Sequence, residues 1–230
     1  MTPDLFITLA ERNGLIDKLF EKVIDTAISD WWLWTKEGLD ISLAINISIE
    51  NLRSSNFVMR LEKKLADTLF PSEKLILEIT ESTLIYEFSL VLNILARLRI
   101  RRINLSIDDF GTGYSSMIQL RDIPFNELKI DKSFVHEAWE DRVSKEIFNT
   151  SMQLAKKLDL KTVAEGVENI KDWDFLVNSE CDLAQGHYIG RPMPADLIIP
   201  WYKEWLFMYK KKIQKIKFEF NVKFIFSAKN

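Results

Sequence analysis

The sequence predicts an α/β fold in which parallel strands and covering helices curl into a barrel, and three observations carry that reading. Six strand-like segments alternate with helix-like ones along the 230 residues. In the first three of these strands the odd-numbered residues from Ile41 to Ile47, Leu75 to Ile79 and Ile103 to Ile107 are large and apolar, whereas the even-numbered face carries Ser42, Ala44, Asn46, Glu78, Thr80, Asn104, Ser106 and Asp108. The polar residues also crowd toward the C-terminal end of each strand. An open doubly wound sheet buries both faces in apolar surface, while a barrel gathers polar groups at the mouth formed by the C-terminal strand ends.

Thr2 and Pro3 open a short helix that stops before Gly14, and Leu15, Ile16, Leu19, Phe20, Val23, Ile24 and Ala27 then recur at helical spacing. Ile41, Leu43, Ile45 and Ile47 alternate with Ser42, Ala44, Asn46 and Ser48, which is strand period, and a helix with Phe57, Leu61, Leu65 and Leu69 follows. The cycle repeats with a strand at 75–80 and a helix over 88–98, then a strand at 103–109 and a long loop. A strand at 127–131 precedes a helix over about 141–158, one at 161–165 precedes a helix over 170–178, and one at 183–188 precedes a helix over 195–209. Trp31, Trp32 and Trp34 read as core residues closing a helix rather than as a partner surface.

Length bounds the chain to one domain with an appendage: a barrel over 1–208 and a tail over 209–230. Seven lysines and one glutamate between Tyr209 and Asn230 make the tail basic, so the preceding residues carry −9 against −3 for the whole chain. That overall balance argues against a nucleic-acid polymer as partner. No apolar run reaches a membrane span of ~18–20 residues, the N-terminal stretch has no basic leader, and the single Cys181 suits a reducing compartment, so the expected location is the cytoplasm.

The C-terminal strand ends present Asn46, Glu78, the adjacent pair Asp108 and Asp109, Lys129 with Asp131, Glu165 and Gln185. Five carboxylates at one mouth repel one another without a cation, and with the amide oxygens they form a set of hard oxygen donors that suits Mg²⁺ or Mn²⁺ rather than zinc. Two such ions could activate water and stabilise the leaving oxygen of a phosphodiester. Lys129 could position that water, deprotonate it, or neutralise phosphate charge.

These residues lie in stretches that resemble the EAL-domain cyclic-di-GMP phosphodiesterases, a family of bacterial second-messenger hydrolases. The matching runs are FITLAERNGLI (6–16), LAINIS (43–48), LEITES (77–82), IDDFGTGYSS (107–116), LKIDKSFV (128–135), VAEGVE (163–168) and QGHYIGRPMP (185–194). The resemblance implies a TIM-like (β/α)8 barrel that uses two Mg²⁺ or Mn²⁺ ions to open cyclic di-GMP to linear pGpG. It implies Asn46, Glu78, Asp108, Asp109 and Glu165 as metal ligands, with Lys129, Glu165 and Gln185 at the catalytic water. Glu81 and Glu168, with Gly111 and Gly113, would support the loop after Asp109, which resembles the family's dimer segment. Asp131, Gly186, Arg191 and Pro192 would line the dinucleotide site.

The family's first strand carries a Glu-Ala-Leu tripeptide, whose glutamate is a metal ligand, followed by an arginine that contacts the dinucleotide. Neither occurs in this chain, which opens on the helix expected after that strand. The resemblance therefore implies a truncated barrel, one metal site short of a ligand, impaired turnover, and an upstream regulatory domain outside this chain. The alternative is a receptor that binds cyclic di-GMP, or a protein partner, without cleaving anything. The tail run FEFNVKFIF (218–226) alternates as a strand and has two readings: an extraneous tail whose pattern is accidental, or a strand that pairs into the vacant wall, in its own chain or swapped into a partner, with Glu219 on the polar face.

Overall fold

A computed structural model describes residues 3–86, 88–113, 117–210 and 221–223. The elements run α1 (Pro3–Arg12), α2 (Ile16–Lys36), β1 (Ser42–Asn46), α3 (Ile49–Arg53), α4 (Phe57–Asp67), β2 (Leu75–Thr80), α5 (Glu81–Tyr86), α6 (Phe88–Ile100) and β3 (Asn104–Phe110). They continue with α7 (Met117–Asp122), β4 (Glu127–Ile130), α8 (Arg142–Lys157), β5 (Lys161–Ala164), α9 (Ile170–Asn178), β6 (Leu183–Ala184), α10 (Ile198–Lys210) and β7 (Asn221–Lys223).

Every ladder is parallel, and the strand order is β6-β5-β4-β3-β2-β1-β7. From β1 to β6 the order in space follows the order in sequence, so this part of the sheet has no point of reversal such as a doubly wound sheet uses for its ligand. A sheet that grows in one direction with helical crossovers curls on itself, and the result is a half-barrel of six parallel strands within a TIM-like plan. The helical layer shows the curl directly. The indole N–H of Trp34 in α2 donates to the Ala195 carbonyl at 3.0 Å, just before α10, so the first long helix meets the last.

The odd-numbered residues of β1 to β3, up to Ile107, face the helices. Leu43, Leu75, Leu77, Ile79, Leu105 and Ile107 are fully buried and pack with Phe57, Leu61, Leu95 and Leu98 from α4 and α6. Trp31 and Trp34 are buried, and the Trp31 indole donates to the Ile41 carbonyl at 2.8 Å, which locks α2 onto the start of β1. Side chains start the helices where the sequence supplies oxygen acceptors. Ser48 and Asn51 form a capping box on α3, Asp141 accepts from Val143 and Ser144 at the start of α8, and Asn169 accepts from Lys171 and Asp172 at the start of α9.

The structure departs from the sequence reading in two places. Short helices α3, α5 and α7 stand where only loops or longer helices were expected. The expected strand over 183–188 shortens to Leu183–Ala184, because Gln185 and Gly186 turn to meet the loop after β5: Val167 donates to the Gln185 carbonyl at 3.1 Å and Tyr188 donates to the Val167 carbonyl at 3.0 Å. Of the tail run over 218–226, residues 221–223 are described, and they run parallel to β1 with Leu43 opposite Val222. The remainder of that segment, Glu219 included, lies outside the described residues. No helix among the described residues is long and apolar enough to cross a membrane.

Removing residues 217–230 takes away the ladder on the β1 edge and is expected to lower the thermal midpoint, by about 2–4 °C for each kcal/mol the ladder contributes in a chain of this size. An unchanged melting curve would show that the pairing adds nothing to stability.

Candidate metal centre

The mouth is organised around one buried cation. Lys129, on β4, is 1 % exposed, and its Nζ lies 3.1 Å from Glu78 on β2, 2.7 Å from Asp108 on β3 and 2.5 Å from Glu165 just past β5. Burial alone would push an ammonium toward neutrality, but the charges of Glu78, Glu165 and Asp108 outweigh it and hold the Lys129 pKa well above its ordinary value. Three strands and the residue just past a fourth thus contribute to one cluster, and Glu78 and Asp108 lie on the polar face that the sequence periodicity marks.

Asp108 and Asp109 are neighbours in sequence, and in a regular strand they would point to opposite faces. The structure resolves this with a bulge. Between β3 and β4 the register shifts, so that the step from Ile107 to Phe110 faces only the step from Leu128 to Ile130. Asp109 takes a left-handed backbone conformation at φ 57°, which aspartate tolerates better than most side chains. Its N–H donates to the Asp108 carboxylate at 3.2 Å, and its carbonyl accepts from the Thr112 hydroxyl at 2.8 Å. The outcome is that oxygens of Asp108, Asp109 and Glu165 lie within 4.8 Å of one another.

The loop after β3 is held from behind. Glu81, 3 % exposed at the start of α5, accepts from the backbone N–H groups of Gly111 at 2.9 Å and Gly113 at 3.1 Å. Gly111 sits at φ 98°, and a Cβ there would come within 2.9 Å of the Phe134 ring, so only glycine fits. Residues 114–116 of the FGTGYSS run lie outside the described residues.

Other residues expected at the site are spread around the rim. Asn46, at the end of β1, is exposed, and Arg191 and Pro192 are exposed on the segment before α10. Asp131 and Gln185 are half-buried; Asp131 caps the turn after β4 by accepting from Ser133 N–H at 2.9 Å, and the Gln185 backbone pairs with Ala164 and Val167. Gly186 lets Val167 approach, since a Cβ there would lie 2.1 Å from the Val167 carbonyl oxygen. Glu168 is exposed, and its backbone N–H goes to Asp172 at 3.0 Å. Asp172 and Glu127, both buried, escaped the sequence reading; alternation on β4 marks Glu127 for the same face as Lys129, whereas nothing local marks Asp172.

The donor set fits a divalent cation of the Mg²⁺ or Mn²⁺ kind. The three clustered groups are all carboxylates, and the two histidines of the chain stand outside the cluster.

A family model for the EAL domain matches residues 1–192. The chain is 38 % identical over 200 residues to the bifunctional diguanylate cyclase/cyclic di-GMP phosphodiesterase MucR of Pseudomonas aeruginosa, a match that covers 86 % of this chain and 29 % of that protein. It is 33 % identical over 201 residues to the cyclic di-GMP phosphodiesterase PdeR of Escherichia coli, covering 87 % of this chain and 30 % of that one. Among solved structures, the PaMucR phosphodiesterase in complex with c-di-GMP matches with a TM-score of 0.81 at 39 % identity, covering 86 % of this chain and 81 % of that chain. The chain therefore spans about three tenths of the length of these curated relatives.

Beneath the cluster, Glu127 is 5 % exposed at the start of β4, in register with Ser106. Burial pushes its carboxyl up to about 7, with the Glu78 charge adding to the rise and the Lys129 and Lys161 charges opposing it. A raised carboxyl pKa favours the folded state where the group is protonated. Its contribution is present below the unfolded value of 4.5 and fades as the pH climbs toward 7, a loss of about 3 kcal/mol. Glu127→Gln is therefore expected to match the parent in unfolding free energy near the acid end of that window and to exceed it at about pH 8. Equal stability at both pH values in chemical denaturation would show that Glu127 carries no such penalty.

Proposed function

The chain belongs to the EAL domain family, and on that footing we propose that it is a metal-dependent phosphodiesterase that opens cyclic di-GMP to linear pGpG. The observation that carries the reading is the bulge that turns both Asp108 and Asp109 toward Glu165 at the mouth. Asp108, Asp109 and Glu165 would hold one Mg²⁺ or Mn²⁺ ion, and Glu78 and Asn46 would serve a second. When bound, such ions supply Lewis-acid activation of water and neutralise charge on the phosphodiester.

The rest falls to the chain's own side chains. In hydrolysis the oxygen of water bonds to phosphorus as one ester P–O bond breaks, and the anionic phosphate must be met by positive charge. Lys129 already donates to Asp108, at 2.7 Å, and lies 2.5 Å from Glu165. Kept as an ammonium by these neighbours, it offers hydrogen bonds and positive charge to the water and the phosphate rather than a lone pair for proton removal. Gln185, beside Glu165 through the β5–β6 pairing, would orient the same water. Asp131, Gly186, Arg191 and Pro192 lie on loops at the same end of the sheet and would contact the dinucleotide, with Arg191 free to reach a phosphate from the rim. Glu81 and Glu168 would hold the flanking loops.

Several finer features belong to the same proposal. The loop after β3, clamped by Glu81, would form part of a homodimer contact. The greater length of the relatives supports a regulatory domain accompanying this one, and a nucleotide second messenger as substrate supports action in the cytoplasm.

Incubating the chain with cyclic di-GMP and Mn²⁺ or Mg²⁺, and following pGpG by chromatography, is expected to show turnover. The Asp108→Ala, Asp109→Ala double variant should lose it by at least about 100-fold. Dinucleotide binding without any pGpG would replace the enzyme reading with that of a receptor, and loss of both would remove the dinucleotide from the picture.

A further inference from the structure

Behind the rim that carries Glu165, a second carboxylate is buried away from the lumen. Asp172, in the first turn of α9, is 0 % exposed, and a carboxylate so placed must be compensated by hydrogen bonds or opposite charge. Five donors converge on it. Its Oδ2 accepts from the Glu168 backbone N–H at 3.0 Å and the Asn169 side-chain amide at 3.0 Å, and pairs with His136 Nδ1 at 3.1 Å. Its Oδ1 accepts from the Glu137 backbone N–H and from the Trp139 indole N–H, both at 3.2 Å.

The donors divide between two loops. His136, Glu137 and Trp139 follow β4, the strand of Lys129, whereas Glu168 and Asn169 follow β5 and lie three and four residues from Glu165. The two loops also touch at their bases, where a Cβ on Gly166 would come within 2.4 Å of the Lys132 Cβ. Lys171 covers the seam, its Nζ 4.0 Å from the Trp139 ring centroid. A carboxylate that gathers donors from both loops fixes the spacing between them.

We infer that Asp172 is a positioning residue for the mouth: its buried carboxylate clasps the loop that carries Glu165 to the loop that follows Lys129, with His136 as the exchangeable member of the clasp. The purpose assigned to the clasp rests on the phosphodiesterase reading; its geometry does not.

His136 makes the clasp testable by pH. The ring is 40 % exposed and faces Asp172 from α9, Glu137 from its own loop and Glu168 from the loop after β5, while the Lys171 ammonium lies over the Trp139 ring. The hydrogen bond to Asp172 raises its pKa above the ordinary imidazole value; burial opposes that rise, and the charges of Asp172, Glu137 and Glu168 add to it. The charged form of the clasp is therefore complete below the ordinary value of 6.5 and is lost as the pH rises through the elevated one.

The decisive experiment pairs amide hydrogen exchange by mass spectrometry with Mn²⁺ titration of the full chain, comparing the parent with Asp172→Ala and His136→Gln. Asp172→Ala should speed exchange in residues 136–139 and 165–169 by about tenfold while leaving β1 and β2 unchanged, and should weaken Mn²⁺ binding by about tenfold. If that variant fails to fold, the half-exposed His136 site still decides the matter. His136→Gln should weaken Mn²⁺ binding several-fold at about pH 6 and not at about pH 9. Unchanged exchange in both loops would overturn the clasp. Faster exchange with unaltered Mn²⁺ affinity would reduce Asp172 to a structural residue and overturn its positioning role. If the parent binds no Mn²⁺, the metal reading of the mouth fails, and the exchange data alone then support or overturn the clasp.

Discussion

The Lys129 ammonium inside the barrel is the constraint on which the rest of the mouth depends. Taking an ammonium out of water costs several kcal/mol, a cost met only by close, well-placed opposite charge. Here the charge arrives from three other strands: Glu78 from β2, Asp108 from β3 and Glu165 from the end of β5. The parallel register of β2 through β5 is thereby tied to chemistry, since a slip of one residue in any strand would turn its carboxylate to the helical side and leave the others uncompensated. The balance is also uneven. Three carboxylates around one ammonium, with Asp109 beside them, leave negative charge in excess, and that excess is what a divalent cation would neutralise.

The bulge at Asp108 and Asp109 follows from the same geometry. A strand offers the lumen only every second side chain, so two consecutive carboxylates at the mouth require a break in the alternation. The left-handed backbone of Asp109 supplies that break, and the Glu81 carboxylate secures the loop that leaves it by accepting the N–H groups of Gly111 and Gly113. Backbone strain, buried acid and glycine are parts of one device, because without the Glu81 acceptor those two amides would have no reason to gather at one point.

Periodicity in the amino-acid sequence made six strands, their parity and the residues at their C-terminal ends legible, because all three depend only on spacing along the chain. What stayed hidden depends on pairing between distant segments. The bulge exists only where the Ile107-to-Phe110 step is laid against Leu128 and Ile130, so adjacent aspartates alone cannot announce it. The shortening of β6 stems from Val167 passing over Gly186, a contact between loops about twenty residues apart. Asp172 reads locally as an ordinary acidic residue in the first turn of a helix, where the macrodipole welcomes it. Its burial becomes visible only when residues 136–139 are brought over it.

Acidic side chains at this end of the barrel fall into two classes by the direction they face, and the division explains how so many coexist. Glu78, Asp108 and Glu165 point inward and answer to a cation. Glu81 and Asp172 point away from the lumen and answer to N–H groups of the loops: Glu81 to those after β3, Asp172 to those after β4 and β5. Backbone amides carry only partial positive charge, so a carboxylate they hold does not compete for Lys129 or a metal. Each outward carboxylate instead converts its burial into loop position. Asp109 and Glu165, which begin the very loops so held, are thus set by groups that never touch the cation. The accuracy of the mouth is a property of its outer ring of acids as much as of the inner one.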